Sequence, residues 1–303
     1  MNSVVRSPRF EPGSSAWQTD DDGQQLPIDW DKFQSWLTEK KYNRRYAADL
    51  LSYAKQYSLA LLQRDFSKIQ DLSDGLRPNV IKGLSALSKF LGQHETFKGL
   101  LKSHALKWGG RSADDVIIDR LTKIGNPEEI FQWIKDAKTA RPDLNDFLDL
   151  LAVSGLRLVE TVNCYNLIVQ LARTKKLKGY YNEETQSLEH FKFKDTFLRK
   201  SKKAFISFVP KDLIARIGEN DLLTSPASVQ KLIQKKGLQL RFADVREAYA
   251  SYLTKFLKPE EIDFLQGRCT TSVFMRNYYN PKLVADLEAR AFQGIAEIQQ
   301  KVK

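Results

Sequence analysis

The first regular pattern in the chain is helical and begins near Ile28. Trp30, Phe33 and Leu37 recur at intervals of three and four residues, which is the period of a helix with one apolar face. The same interval returns over a longer stretch after Asn43, and again over 80–91 and 94–106. We therefore predict a compact bundle of helices over residues 27–107.

A second series of helices follows, and a short β-rich stretch interrupts it. Helical periods cover about 113–124, 127–137, 144–154 and 159–171, and they return from residue 210 onward. Between them, apolar and polar residues alternate over 178–208, which predicts two or three short antiparallel strands; the apolar positions are Phe191, Phe193, Phe197, Phe205, Ile206 and Phe208. The predicted fold class is therefore mainly α with a small antiparallel β insertion.

The last predicted helix, over 283–302, is amphipathic, with Leu283, Leu287, Ala291 and Ile295 on one face. That face can pack on its own domain or dock on a neighbouring copy of the chain, and the sequence favours neither.

A break in the pattern at Trp108-Gly109-Gly110-Arg111 separates the two helical regions. We place a linker over 108–114 and a second domain over 115–303. Residues 1–26 are rich in Ser, Pro, Gly, Asp and Gln and can bury little apolar surface, so we expect a flexible arm there.

The charge of the chain narrows the class of partner. The 303 residues carry a formal net charge of +11, and such an excess of Lys and Arg favours a polyanion such as nucleic acid. The only two cysteines, Cys164 and Cys269, suit a reducing interior and show no metal-ligand spacing. No apolar run approaches the ~20 residues that span a bilayer, and no apolar signal core is seen. We expect a cytoplasmic protein without membrane contact.

Two segments present cations to a possible anion. In Ser154-Gly155-Leu156-Arg157-Leu158-Val159-Glu160, an arginine follows a glycine turn at a helix start, where free amides also favour an anion. Alternatively, Arg157 lies at the surface and pairs with Glu160 of its own helix. At the predicted hairpin tip, Arg199, Lys200, Lys202 and Lys203 either reach a phosphate, where a lysine can also donate a proton, or form a solvated turn.

Two later segments add a buried cation and a candidate nucleophile. Arg246 lies on the inner side of a largely apolar helix and needs a partner, which is Asp244, Glu247, another side chain or a bound phosphate. Further on, Gln266-Gly267-Arg268 precedes Tyr278-Tyr279-Asn280-Pro281. A tyrosine among cations can accept a phosphoryl group, because the cations favour the phenolate and offset charge in the transition state. Tyrosine pairs also commonly serve as core residues.

Together and in this order, the four segments resemble the tyrosine recombinase (integrase) family, over about 115–285. Ser-Gly-Leu-Arg-x-x-Glu is similar to its first box, the basic hairpin to its lysine hairpin, and Asp244-x-Arg246 to its second arginine box. Gln-Gly-Arg and the Tyr-x-x-Pro ending at Pro281 are most similar to integrases of archaeal viruses and plasmids.

The resemblance implies a helical core-binding domain, a catalytic domain and site-specific recombination of double-stranded DNA. It implies that Tyr278 attacks the scissile phosphate to form a 3′-phosphotyrosine, that Lys200 protonates the departing 5′-hydroxyl, and that Arg157, Arg246 and Arg268 bind the phosphoryl oxygens. A homotetramer on two duplexes is implied, and no cofactor or metal.

The chain departs from the family pattern in three respects. Ala243 stands where the family usually has His or Lys, so Arg241 or a hairpin lysine takes that role, or the role is reduced. Arg268 stands where His or Trp is usual. Tyr278 lies ten residues beyond Arg268, one more than in many members, and we prefer it to Tyr279 because of the Tyr-x-x-Pro frame. The alternatives are a type IB topoisomerase-like nicking and resealing enzyme, or a DNA-binding protein whose catalysis has decayed.

Overall fold

The chain divides into two compact units, Met1–Ile124 and Gly125–Lys303, each with its own hydrophobic core. This computed structural model describes residues 17–19, 25–42, 44–106, 114, 117–118, 121, 127–199, 202–223, 225–268, 277, 279–281, 284 and 286–303. Most of the predicted linker 108–114 and of the predicted helix 113–124 lies outside the described residues. The fold is mainly helical with a small antiparallel sheet, as predicted.

The first unit is a helical bundle. Its described helices are α1 (Trp30–Glu39), α2 (Arg44–Leu62), α3 (Ser67–Gln70), α4 (Arg77–Phe90) and α5 (His94–Ser103). Gly83 lets α4 pack closely against α2, since a Cβ there would come 2.8 Å from that of Tyr53. Within the stretch expected to form an arm, β1 (Trp17–Thr19) pairs antiparallel with β2 (Gln25–Pro27).

The second unit is built around a buried helix. Its described α-helices are α6 (Pro127–Ala140), α7 (Asn145–Ser154), α8 (Leu158–Arg173), α9 (Lys194–Phe197), α10 (Lys211–Gly218), α11 (Pro226–Gln234), α12 (Phe242–Leu253), α13 (Pro259–Leu265) and α14 (Leu287–Val302). Most side chains of α7 are apolar and buried, and α6, α8, α10, α12 and α14 pack around it. The C-terminal end of α7 is therefore held in the core by the helices packed around it.

The small sheet of the second unit follows part of the predicted β stretch. Strands β3 (Tyr181–Asn182), β4 (Ser187–Leu188) and β5 (Ser207–Phe208) are antiparallel in the order β3-β4-β5. The alternation over 191–197 was wrongly read as strand: this stretch forms a 3₁₀ turn, His190–Lys192, and α9. Phe193 and Phe197 lie four positions apart and both contact the buried ring of Tyr180, so the spacing was helical.

A series of buried hydrogen bonds links Tyr180 and His190 to Ser207 of β5. The two ring nitrogens of His190 lie 2.7 Å from the Tyr180 hydroxyl and 2.9 Å from Ser207 Oγ, and the Tyr180 hydroxyl also donates to Cys164 Sγ. Burial lowers the pKa of His190 to about 3, because the charged imidazolium is disfavoured away from water. His190 is therefore neutral at physiological pH.

Helix α14 packs on its own unit, which decides between the two arrangements considered for the last helix. Its buried face is Leu287, Ala291, Gly294, Ile295, Ile298 and Val302. A Cβ at Gly294 would overlap the side chain of Leu253 in α12, so the glycine permits the close approach. The helix begins at Leu287, and Leu283 lies outside the described residues.

Candidate active site

The turn between α7 and α8 positions Arg157. Gly155 ends α7 with a left-handed backbone (φ 57°), and a Cβ at this position would overlap the ring of Tyr249 in α12. Only glycine meets both conditions without strain. Arg157 then precedes α8, and its carbonyl accepts the Thr161 amide at 2.8 Å. The first box is thereby packed directly against the helix that carries Arg246.

Arg246 is held by two main-chain carbonyls from distant segments. Its side chain donates from Nη1 to the Gly155 carbonyl and from Nη2 to the Gln266 carbonyl, both at 2.7 Å. The sequence left Asp244, Glu247, another side chain or a bound phosphate as the possible partner of Arg246, and Asp244 instead accepts from Arg241 at 3.0 Å. Main-chain carbonyls satisfy the buried guanidinium without cancelling its charge, so Arg246 stays positive and oriented.

The Gln266-Gly267-Arg268 turn completes this junction. Gln266 is buried, and its side-chain Nε2 donates to the Arg246 carbonyl at 2.9 Å. In return, the Gln266 carbonyl accepts from the Arg246 side chain. Gly267 has φ 66°, and a Cβ there would overlap the carbonyl oxygen of Lys203. The turn therefore contacts both α12 and the basic hairpin.

The positive charges of the three boxes lie close together. The pKa of Arg246 falls to about 10, first because of burial and then because of the positive charges of Arg157 and Arg268. Arg246 is 9% exposed, whereas the side chain of Arg268 is half exposed and lies 3.7 Å from Asp263. The arrangement concentrates positive charge in one place, and a negative ligand bound there would relieve the repulsion.

A buried carboxylate also belongs to this cluster. Glu160 is 0% exposed and accepts from Arg157 Nη1 at 2.8 Å, from the Arg157 amide at 3.2 Å and from Arg199 Nη2 at 3.1 Å. Arg157 thus has the intrahelical partner considered from sequence, and it lies beside Arg246 as well. The two interpretations of this residue are compatible.

The basic hairpin closes where the sequence predicted a tight connection. Leu198 and Lys203 form an antiparallel bridge, and the Ala204 amide donates to the Phe197 carbonyl at 3.0 Å. Lys200 lies outside the described residues. Arg199, which was one of four equivalent cations in the sequence, is distinguished by its contact with Glu160.

Of the two candidate nucleophiles, Tyr278 lies outside the described residues. Tyr279 packs with its ring centroid 5.6 Å from that of Phe264, which in turn stacks on Phe205. The hydroxyl oxygen of Tyr279 is buried. The choice of Tyr278 as the nucleophile stays a prediction.

The position that departs from the family pattern is described. Ala243 is exposed in the first turn of α12. Arg241 was considered as the replacement for this position. Its guanidinium lies 4.0 Å from Glu129 and 3.0 Å from Asp244. Two acidic neighbours therefore pair with the guanidinium of Arg241.

Sequence reasoning missed two members of the cluster. Gln266 was noted only as the first residue of the Gln-Gly-Arg motif, and Arg199 only as one of four cations in the basic hairpin. A signal for Gln266 was present, because a polar residue directly after the buried end of a helix is a candidate for capping a neighbouring segment. No local signal points to the Arg199 contact, which joins residues 39 positions apart.

Comparison with known proteins finds a family match that covers most of the second unit. A family model described as archaeal phage integrase matches residues 122–292, which is more than half of the chain. No curated protein matches the chain. Among the described residues, none forms a helix long and apolar enough to cross a membrane.

Proposed function

The chain belongs to the archaeal phage integrase family, and on that premise we propose that it recombines duplex DNA by tyrosine chemistry. Membership of this family supports a role in DNA integration and recombination. The finer proposal is a site-specific recombinase of an archaeal mobile element, which cleaves and rejoins DNA through a covalent 3′-phosphotyrosine.

The observation that carries the proposal is the convergence of Arg157, Arg246 and Arg268 from three separate segments. Cations held in a partly water-excluded site stabilise charge as it develops on a phosphoryl group. Arg246 is oriented by two carbonyls, so at least part of its five-donor fork can face an anion without reorganisation. The glycines at 155 and 267 support this interpretation, because they allow the three segments to meet.

In the proposed reaction, the Tyr278 phenolate oxygen attacks the scissile phosphorus, and the bond from phosphorus to the 5′-oxygen breaks. Lys200 gives a proton to that leaving oxygen, which departs as a 5′-hydroxyl. The phosphotyrosine ester conserves the energy of the broken phosphodiester bond. A 5′-hydroxyl from a partner strand can therefore attack it, release the tyrosine and join the two strands. Arg157, Arg246 and Arg268 offset the negative charge of the pentacoordinate transition state.

The first unit fits the DNA-binding part of this proposal. Exposed cations lie in α2 and in the connection that precedes it, and they are Lys40, Lys41, Arg44, Arg45 and Lys55. Contacts of this kind bind a phosphate backbone without reading sequence. We propose that the unit serves as the core-binding domain, and that four copies of the chain assemble on two duplexes.

Covalent trapping tests the proposal. The protein is incubated with a pool of nicked duplexes of randomised sequence, from which a short fragment diffuses away after cleavage and leaves the adduct trapped. A denaturant-stable adduct is expected, and trypsin should leave the DNA on the 277–282 peptide. DNA binding without any adduct would instead favour a DNA-binding protein with decayed catalysis, for which Ala243 is the specific argument.

A second substrate separates recombination from nicking and resealing. The sequence enriched by trapping is placed twice on one plasmid. Joined products of the two sites are expected from a recombinase, whereas relaxation of supercoils without joined products would support the topoisomerase-like alternative.

A further inference from the structure

A fourth arginine shares the buried carboxylate that binds Arg157. Glu160 Oε1 accepts from Arg157 at 2.8 Å and from Arg199 at 3.1 Å. Glu160 and Arg157 lie at the start of α8, whereas Arg199 lies at the base of the basic hairpin. A buried carboxylate requires a cationic partner, because its charge is poorly solvated in the interior. If one arginine moves away, the other therefore has to remain.

The charge of the cluster shows why this sharing matters. Within the described part of the cluster, four arginines (157, 199, 246 and 268) face the carboxylates of Glu160 and Asp263, which leaves a net of two positive charges. A phosphodiester has one negative charge, and attack by a phenolate brings a second. Without Arg199, the net charge would fall to one and would no longer balance the transition state.

We propose that Arg199 is a positioning residue that holds Glu160 and so allows Arg157 to turn its guanidinium to the scissile phosphate; this rests on the function proposed above. With Arg199 present, Glu160 keeps a partner when Arg157 engages the phosphate. Without it, Glu160 retains Arg157, and the transition state loses one cationic contact.

The side chain of Arg199 is 39% exposed, yet one of its donor atoms is buried. Its Nε is buried and finds no hydrogen-bond acceptor within the part of the chain that the structure describes. A buried donor without an acceptor reduces stability, so the contact with Glu160 is made at some cost to the fold. A cation that must stay beside a buried carboxylate during the reaction explains why it is placed there.

The test uses the full chain and the nicked duplex enriched with the wild-type protein. Single-turnover cleavage at saturating DNA is compared for Arg199→Gln, the double variant Arg199→Gln/Glu160→Gln, and Lys202→Gln. Lys202 is exposed on the same hairpin, so its variant removes an equal charge without touching Glu160. The affinity for the duplex is measured separately at several salt concentrations.

Arg199→Gln is expected to slow cleavage on the order of 100-fold, while its DNA affinity falls no more than that of Lys202→Gln. The double variant should recover to within about tenfold of the wild-type rate, because a neutral residue at position 160 no longer retains Arg157. A purely structural role predicts that the second substitution adds damage. Arg199→Lys keeps the charge and should cleave faster than Arg199→Gln. If Arg199→Gln does not fold, the rates of Arg199→Lys and of the double variant are each compared with the wild-type rate, and both are expected to lie within about tenfold of it.

Two results would overturn the inference: a wild-type cleavage rate in Arg199→Gln, or a double variant no faster than the single one. Both are distinct from failure of the proposed function, in which the wild-type protein itself would form no adduct.

Discussion

Arg246 donates a 2.7 Å hydrogen bond to the main-chain carbonyl of Gly155, which lies 91 positions earlier in the chain. This contact joins the second arginine box to the turn that begins the first. Gly155 also lies against the ring of Tyr249 from the same helix, α12, so the two boxes meet at two points of contact.

Gly155→Ala should destabilise the second unit strongly. The alanine would have to adopt a left-handed backbone and displace Tyr249, and these effects together cost about 3 kcal/mol. Gly237→Ala is the matched control, since Gly237 also has a positive φ (74°) but nothing lies near its Cβ position; it should cost about 1 kcal/mol. Urea denaturation measures both, and equal losses would show that the contact with Tyr249 is unimportant.

Arg246→Lys should impair both stability and cleavage although it keeps the charge. A single ammonium cannot reach the Gly155 and Gln266 carbonyls as the planar guanidinium does, so about 2 kcal/mol of stability and on the order of 100-fold in cleavage rate should be lost. Arg216→Lys is the control, because Arg216 is exposed and pairs with carboxylates; it should change stability by less than about 0.5 kcal/mol. A fully active Arg246→Lys protein would contradict the proposed role.

The tryptic peptide 277–282 contains both tyrosines, so substitution has to separate them. Tyr278→Phe should abolish the covalent adduct and leave DNA binding nearly intact, because only a hydroxyl is lost. Tyr279→Phe should still form the adduct, since its ring packs on Phe264. Gel electrophoresis under denaturing conditions detects the adduct, and the reverse pattern would assign the nucleophile to Tyr279.

Arg157→Ala should slow cleavage by on the order of 100-fold or more, because one cationic contact to the transition state is lost. The single-turnover rate at saturating DNA measures this effect independently of affinity. The exposed Arg173, which pairs with Asp221, supplies a control far along the same helix. Cleavage at the wild-type rate in Arg157→Ala would remove this residue from the site.

The stability of the second unit should fall in acid because of His190. Its pKa in the folded state, about 3, lies below the 6.5 of an unfolded histidine, so between these values only the unfolded chain binds the proton. This term is absent above pH 6.5 and destabilises the fold by about 1.4 kcal/mol for each pH unit below it. Urea denaturation from pH 7.5 to 5 should show this added slope in the wild-type protein but not in His190→Gln. Parallel pH profiles would contradict it.

The sequence was sufficient for the helices whose apolar period is clear. In α1, α7, α8 and α12, the interval of three and four residues marks the buried face, and the glycine at 155 marks the end of α7. It was insufficient at 191–197, because Phe191, Phe193 and Phe197 suit both an alternating strand and a helical turn. Packing of Phe193 and Phe197 on Tyr180 decided in favour of the turn.

The candidate site was predictable by residue type but not by contact. The order of the boxes indicated which arginines to consider, yet every residue has a carbonyl, so nothing in the sequence could select those of Gly155 and Gln266 as the acceptors for Arg246. The pairing of Arg199 with Glu160 likewise depends on where the hairpin folds back. Such long-range contacts are set by the tertiary structure rather than by any local pattern.

The turn at Gly267 has a practical consequence for retargeting the protein by directed evolution. Since the carbonyl of Lys203 occupies the space that any side chain at 267 would need, a mutant library should leave that codon fixed. Diversity is better spent on exposed hairpin positions such as Lys202, where a new side chain meets solvent or DNA and leaves the scaffold unchanged.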